Sequence, residues 1–217
     1  MNSFYFKHPT TIMVVGPTGS GKTEFVSRAI EQRIFNPMPE RKIWIYGERQ
    51  EAIESRHSDI EFIMDGNIEE ITDSLNQEET NMLVIDDQMC GAVHGDKRFI
   101  EKLFTQGSHH KNLTVILIVQ NLFAKELRTI SLNTHYFVLL KNSRDRTQIR
   151  TLGQQMFPDN PKFLVEAFDD ATRGQTYGYL IVDSHPQTED DSLRIVSRVL
   201  QENGAPQTVY LHHQKLV

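Results

Sequence analysis

The residues Gly16-Pro17-Thr18-Gly19-Ser20-Gly21-Lys22-Thr23 satisfy the spacing G-x-x-x-x-G-K-[ST]. That spacing holds phosphate. The glycines let successive backbone N–H groups turn inward around phosphate oxygens, and a helix starting there adds its partial positive charge. Lys22 would reach the β- and γ-phosphates, and Thr23 would place its hydroxyl on Mg²⁺. The ligand these residues call for is a nucleoside triphosphate.

A second chemical stretch is Asn81-Met82-Leu83-Val84-Ile85-Asp86-Asp87, an apolar run that ends in two carboxylates. Such a run reads as a strand buried on both faces. Ligands of open α/β sheets bind at the C-terminal ends of strands. Asp86 is therefore placed to bind Mg²⁺, directly or through water, and Asp87 to polarise an attacking water. A third stretch, Leu113 to Asn121, is the most apolar in the chain and also ends in polar residues. Gln120 at its end can hold the water or sense the γ-phosphate.

The elements around these residues follow from local pattern. Thr11–Val15 is β-branched and apolar and reads as the strand before the glycine loop. Glu24 to Ile30 has Phe25, Ala29 and Ile30 on one side and reads as the helix after it. Lys42–Tyr46 and Ile60–Met64 are further strands, and Asn67 reads as the N-cap of a helix bearing Ile68, Ile71 and Leu75. Asp96–Phe104 is an amphipathic helix with Phe99, Ile100, Leu103 and Phe104 inward. Phe123 to Asn133 is a loop or short helix. After a strand from His135 to Leu140, Ser143 is expected to cap a helix that carries Arg144, Arg146 and Arg150 through Met156. Lys162–Phe168 is another helix, Tyr177–Asp183 a last strand, and Ala205–Val217 a tail. Strands alternate with helices, which predicts an α/β fold with a mostly parallel sheet and helices on both faces. One domain is expected over residues 1–217, with a core of about 11–184 and a C-terminal extension at 185–217.

Composition sets bounds on partners. The chain has 217 residues, a net charge of −6, 38% hydrophobic and 24% charged residues. No apolar run approaches the roughly 20 residues that span a bilayer, and the N-terminus lacks a signal peptide's apolar core. Cys90 is the single cysteine, which excludes an internal disulfide. These features lead to the expectation of an intracellular protein. An acidic chain does not coat nucleic acid over a whole face, so any contact with it falls to local loops or to a pore made by several subunits. The histidines are scattered and suggest no metal site.

Taken together, Gly16–Thr23, Ile85-Asp86-Asp87 and Val119-Gln120-Asn121 resemble the additional-strand P-loop ATPases, which insert a strand between the P-loop strand and the Walker B strand. More narrowly, the chain resembles the genome-packaging ATPases of the FtsK–HerA superfamily. These occur in poxviruses and other large DNA viruses, in Polinton and adintovirus-like elements, and in some archaeal icosahedral viruses. The stretches Gly107–Asn112 into Val115–Leu122, and Tyr136 to Phe157, carry the narrower likeness. It implies a RecA/FtsK-like fold and a homo-oligomeric ring, usually a hexamer, that hydrolyses ATP. It further implies passage of double-stranded DNA through the ring into a capsid, at the site of virus assembly inside the host cell. Lys22 and Thr23 then bind phosphate and Mg²⁺, Asp86 holds Mg²⁺, and Gln120 is the polar sensor. Relatives often carry glutamate as the second acid, where this chain has the shorter Asp87. The family supplies a cation in trans from the turn before the sensor strand. That turn holds Lys111 here, with Arg144 and Arg146 as alternatives. Lys97, Arg98, Lys125 and Arg128 are candidates for DNA-contacting pore loops.

Two other classes share the phosphate loop. A nucleotide kinase would need an arginine-bearing lid, which Arg144, Arg146 and Arg150 could imitate. The acid pair and Gln120 fit water activation better than transfer to an acceptor. A GTPase would carry an Asn-Lys-x-Asp motif, and none is present. A related ring ATPase for virion assembly or other transport would look much the same in sequence.

Overall fold

The computed structural model describes residues 4–86, 92–108, 111–200 and 206–212, with side chains from residue 97 in the second stretch. Asp87 lies outside the described residues.

In chain order the elements are β1 (Phe6–Lys7), β2 (Thr11–Val15), α1 (Lys22–Glu31), β3 (Phe35–Asn36), β4 (Arg41–Tyr46), α2 (Glu51–Glu54), β5 (Ile60–Met64), α3 (Ile68–Asp73) and β6 (Asn81–Asp86). They continue with α4 (Ala92–Lys102), β7 (Leu113–Val119), α5 (Arg128–Leu132), β8 (Tyr136–Leu140), α6 (Thr147–Met156), α7 (Lys162–Thr172), β9 (Tyr179–Asp183), β10 (Ile195–Ser197) and β11 (Thr208–Val209). Among the described residues the main sheet runs β11-β10-β9-β8-β2-β7-β6-β4-β5. From β8 through β2, β7, β6 and β4 to β5 every pairing is parallel. The pairings of β9 with β8, of β10 with β9, and of β11 with β10 are antiparallel. β7 lies between β2 and β6, which is the inserted strand the sequence led us to expect.

The strands read as unbroken apolar runs because both faces of the sheet are covered. Side chains alternate between them. Met13 and Val15 join a core shared with α3, α4, α5, α6 and α7. Ile12 and Val14 join the opposite core, where Phe25, Val26, Ala29 and Ile30 of α1 and Ile53 of α2 pack. Every residue of β7 is buried, as expected of a strand at the centre of such a sheet. Asn67 caps α3 through its side chain, which accepts from the backbone N–H groups of Glu69 and Glu70.

Four local expectations are corrected. Ser143 does not cap a helix. The Asn142 side chain accepts from the N–H groups of Arg144 and Asp145, which holds the chain in a turn and delays α6 to Thr147. Arg144 therefore precedes the helix, and Arg146 is its N-cap residue. Tyr177 precedes the strand it was expected to open, since β9 begins at Tyr179. β9 is not the last strand, because β10 and β11 continue the sheet beyond it. The helix around Phe99 ends in a π-helical turn, Leu103–Gly107, where a plain α-helix and a polar turn were expected.

Candidate functional site

The glycine loop links β2 to α1 at the C-terminal edge of the parallel strands. Gly16 N–H donates to Val119 O of β7 at 3.2 Å, and Ser20 N–H donates to Pro17 O at 3.2 Å. Gly19 and Gly21 have φ of 76° and 91°, the left-handed region that a side chain disfavours, so both turns depend on glycine. Gly21 is also the N-cap of α1, which aims the helix N-terminus into the loop.

The register brings the chemistry to one level. Val15 pairs with Val119, and Asp86 pairs with Ile118. Gly16, Gln120 and Asp86 therefore emerge at the same edge from β2, β7 and β6. Lys22 is only 5% exposed. Its ammonium donates to Gly16 O at 2.7 Å and Pro17 O at 2.8 Å. Burial pushes its pKa down to about 8, against the opposing pull of the Asp86 carboxylate. Thr23 Oγ1 donates to Asp86 Oδ2 at 3.3 Å. A hydroxyl and a buried carboxylate meeting at a phosphate loop are the hard oxygen donors that Mg²⁺ accepts. Gln120 Nε2 donates to Thr18 Oγ1 at 3.3 Å, so the sensor candidate already touches the loop. Ser20 Oγ is buried without a hydrogen-bond partner among the described residues. Buried polar atoms are rarely left unpaired, and this one fits an anionic ligand seated in the loop.

α1 is fixed from outside by a group the sequence did not single out. Arg56 grips Glu24 with both nitrogens, at 2.9 and 2.6 Å. His57 and Ser27 share a buried hydrogen bond of 2.7 Å. Both partners lie about thirty residues from α1 in sequence, so no local pattern announces them.

The remaining candidates are spread out. Lys111 sits before β7, at the edge of the sheet opposite Lys22, where it donates to Asp73 Oδ1 at 2.8 Å and Thr72 O at 3.1 Å. Arg146 forms an ion pair with Asp169. Arg144 is exposed. Lys97 pairs with Glu101 at 3.7 Å on α4, and Arg98 is exposed beside it. Lys125 and Arg128 border a groove of about 350 Å³ with Phe123 and Leu132, just past Gln120. α4 packs against α5, so the two basic pairs lie on neighbouring elements.

The fold and its phosphate-loop edge define the class of additional-strand P-loop NTPases. Within it, the chain is similar to B204, the DNA-packaging ATPase of Sulfolobus turreted icosahedral virus. The two are 12% identical with a TM-score of 0.57, over 82% of this chain and 93% of that one. It is also similar to the genome-packaging NTPase B204 of Sulfolobus turreted icosahedral virus 2. Its complex with AMPPCP is 14% identical with a TM-score of 0.56, over 85% and 94%. Its complex with ATP-gammaS is 13% identical with a TM-score of 0.52, over 81% and 93%. At these identities the likeness shows a shared fold. No family model matches the sequence, and no curated protein matches it.

Proposed function

We propose that this protein is an ATP-hydrolysing motor that drives double-stranded viral DNA into a capsid. The observation that carries the proposal is the convergence of Lys22, Thr23, Asp86 and Gln120 at one sheet edge. It occurs in a fold shared with proteins described as genome-packaging NTPases. Gly16 to Thr23 cradle the triphosphate of ATP. Lys22 leaves the carbonyls of Gly16 and Pro17 to meet the β- and γ-phosphates, where it offsets charge that grows as the terminal phosphoryl departs. Thr23 and Asp86 are the residues that would hold Mg²⁺, which supplies charge neutralisation on the phosphates when bound. Gln120 orients water, and Asp87 accepts its proton.

The subunits form a ring, as the superfamily resemblance implies, most often of six. Such a ring lets one subunit offer a cation to its neighbour's ATP. Lys111 and Arg146 are already paired with Asp73 and Asp169, so each must give up an ion pair to serve. Arg144 is exposed and is our preferred finger, with a planar fork suited to phosphate oxygens. Lys125 and Arg128, with Lys97 and Arg98 beside them, face the DNA. The protein works inside the infected cell, at the capsid.

The test is release of inorganic phosphate from ATP with no acceptor present. Wild-type protein should release it. Lys22→Ala should lower turnover by at least about 100-fold, the scale seen on removal of one charge-stabilising group, with its melting temperature checked alongside. Turnover within a few-fold of wild type would remove the assigned site. Phosphate found only on a nucleotide acceptor would make the protein a kinase.

A further inference from the structure

Tyr177 is 64% exposed, yet its ring rests directly on the phosphate loop. A Cβ placed on Gly21 would meet Tyr177 Cδ1 at 2.9 Å. The ring forms one wall of a cleft of about 200 Å³ whose apolar lining includes Phe25, Tyr179 and Leu200. Phe25 and Tyr179 pack edge to face at 4.8 Å, and Tyr179 Oη accepts from Leu200 N–H at 3.0 Å, so the floor of the cleft is fixed. The turn that carries Tyr177 is held from two sides. Lys141 Nζ donates to Gln175 O at 2.9 Å, and Lys141 N–H donates to Gly178 O at 2.9 Å.

The strand order says which part of a nucleotide would lie there. Lys22, Asp86 and Gln120 place the terminal phosphates on the β7 and β6 side of β2. A triphosphate laid along the loop from that end points its other end toward β8 and β9. The cleft is on that side, between α1 and the start of β9. Its chemistry suits a flat neutral group. Glu24 and Arg28 both border it and their charges offset one another, while Phe25, Tyr177, Tyr179 and Leu200 give it aromatic and aliphatic walls. Half-buried Gln175 and exposed Thr176 at the rim offer polar atoms to the edge of a ring.

We propose that this cleft is the nucleobase subsite and that Tyr177 stacks on the purine. The proposal rests on the reading of Gly16 to Thr23 as a triphosphate site. Tyr177 thereby ties base occupancy to the N-terminus of α1, because the same ring covers Gly21.

Calorimetry with a non-hydrolysable β,γ-methylene analogue of ATP and with inorganic tripolyphosphate separates the two readings. The wild type should bind the analogue more tightly than tripolyphosphate. Tyr177→Ala should lose about tenfold in affinity for the analogue, the scale of one base–aromatic stack, and should bind tripolyphosphate as the wild type does. Tyr177→Phe should keep the wild-type affinity for both. Unchanged binding of the analogue by Tyr177→Ala would overturn the subsite and leave the phosphate site standing. Equal losses for both ligands would make Tyr177 a support of the loop and overturn the subsite as well. A wild type that binds neither ligand would remove the nucleotide reading itself. The side chain is largely solvent-exposed, so unfolding of the variants is not expected, and melting curves check it.

Discussion

Lys22 carries an ammonium held between two carbonyls with water largely excluded. Its pKa of about 8 has consequences of opposite sign for stability and for binding. In the unfolded chain a lysine keeps its proton to about pH 10.4. Between pH 8 and that value the unfolded state binds more protons, so the free protein gains stability from this group as pH rises. Phosphate binding needs the charged form, so the Lys22 contribution to affinity is full below pH 7 and falls as pH passes 8. We expect the affinity for the β,γ-methylene analogue to drop roughly tenfold per pH unit well above pH 8. Lys22→Arg should lose that midpoint, because a guanidinium stays charged throughout. Calorimetry across pH 6.5 to 10 on both proteins checks this, and an affinity flat across the range would show that Lys22 is not the group that meets the phosphates. The residues of this site were legible because their chemistry is local. Eight neighbours define the loop, and an apolar run points to Asp86. The role given to Tyr177 was not legible, since only the fold lays residue 177 on residue 21.

At the scale of elements, α1 is the part that converts loop geometry into a rigid site, and it is braced by α2 and the turn after it. The Ser27–His57 bond is buried, and removing the Ser27 hydroxyl leaves His57 Nε2 facing Glu31 Oε1 at 3.6 Å, beyond hydrogen-bond distance. Ser27→Ala should therefore cost about 1–3 kcal/mol, read as a lower melting temperature near pH 7.5. At that pH burial keeps His57 neutral, since its pKa is lowered. A melting temperature equal to wild type would mean the bond adds nothing to the brace. The unbroken apolar run of β7 and the helical spacing of α7 could be read from sequence alone. The short ones could not. Ile195–Ser197 is a strand only because β9 offers an edge to pair with, and Thr208–Val209 only because β10 then offers the next one. Ser143 looked like a cap because Asn142's competing hydrogen bonds depend on where the chain turns.

For the whole molecule, net charge limits how the DNA of the proposed function could be held. At −6 the protein as a whole repels a polyanion, so any attraction would have to be concentrated. Lys125 and Arg128 follow Gln120 within one short connection, and Leu122 N–H is held by Gln148 Oε1 at 2.7 Å. A movement of Gln120 on loss of the γ-phosphate would thus reach the two basic residues through a tethered segment. If these residues grip the duplex backbone, double-stranded DNA should stimulate hydrolysis, and Lys125→Ala with Arg128→Ala should abolish the stimulation while leaving basal turnover intact. Each phosphate contact contributes about −0.9 to the slope of log affinity against log salt. The double variant should therefore bind DNA with a slope shallower by about 2, measured by anisotropy of a labelled duplex at several salt concentrations. A slope equal to wild type, with stimulation retained, would move the DNA grip away from these residues and leave Lys97 and Arg98 on the adjoining helix as the pair to change next.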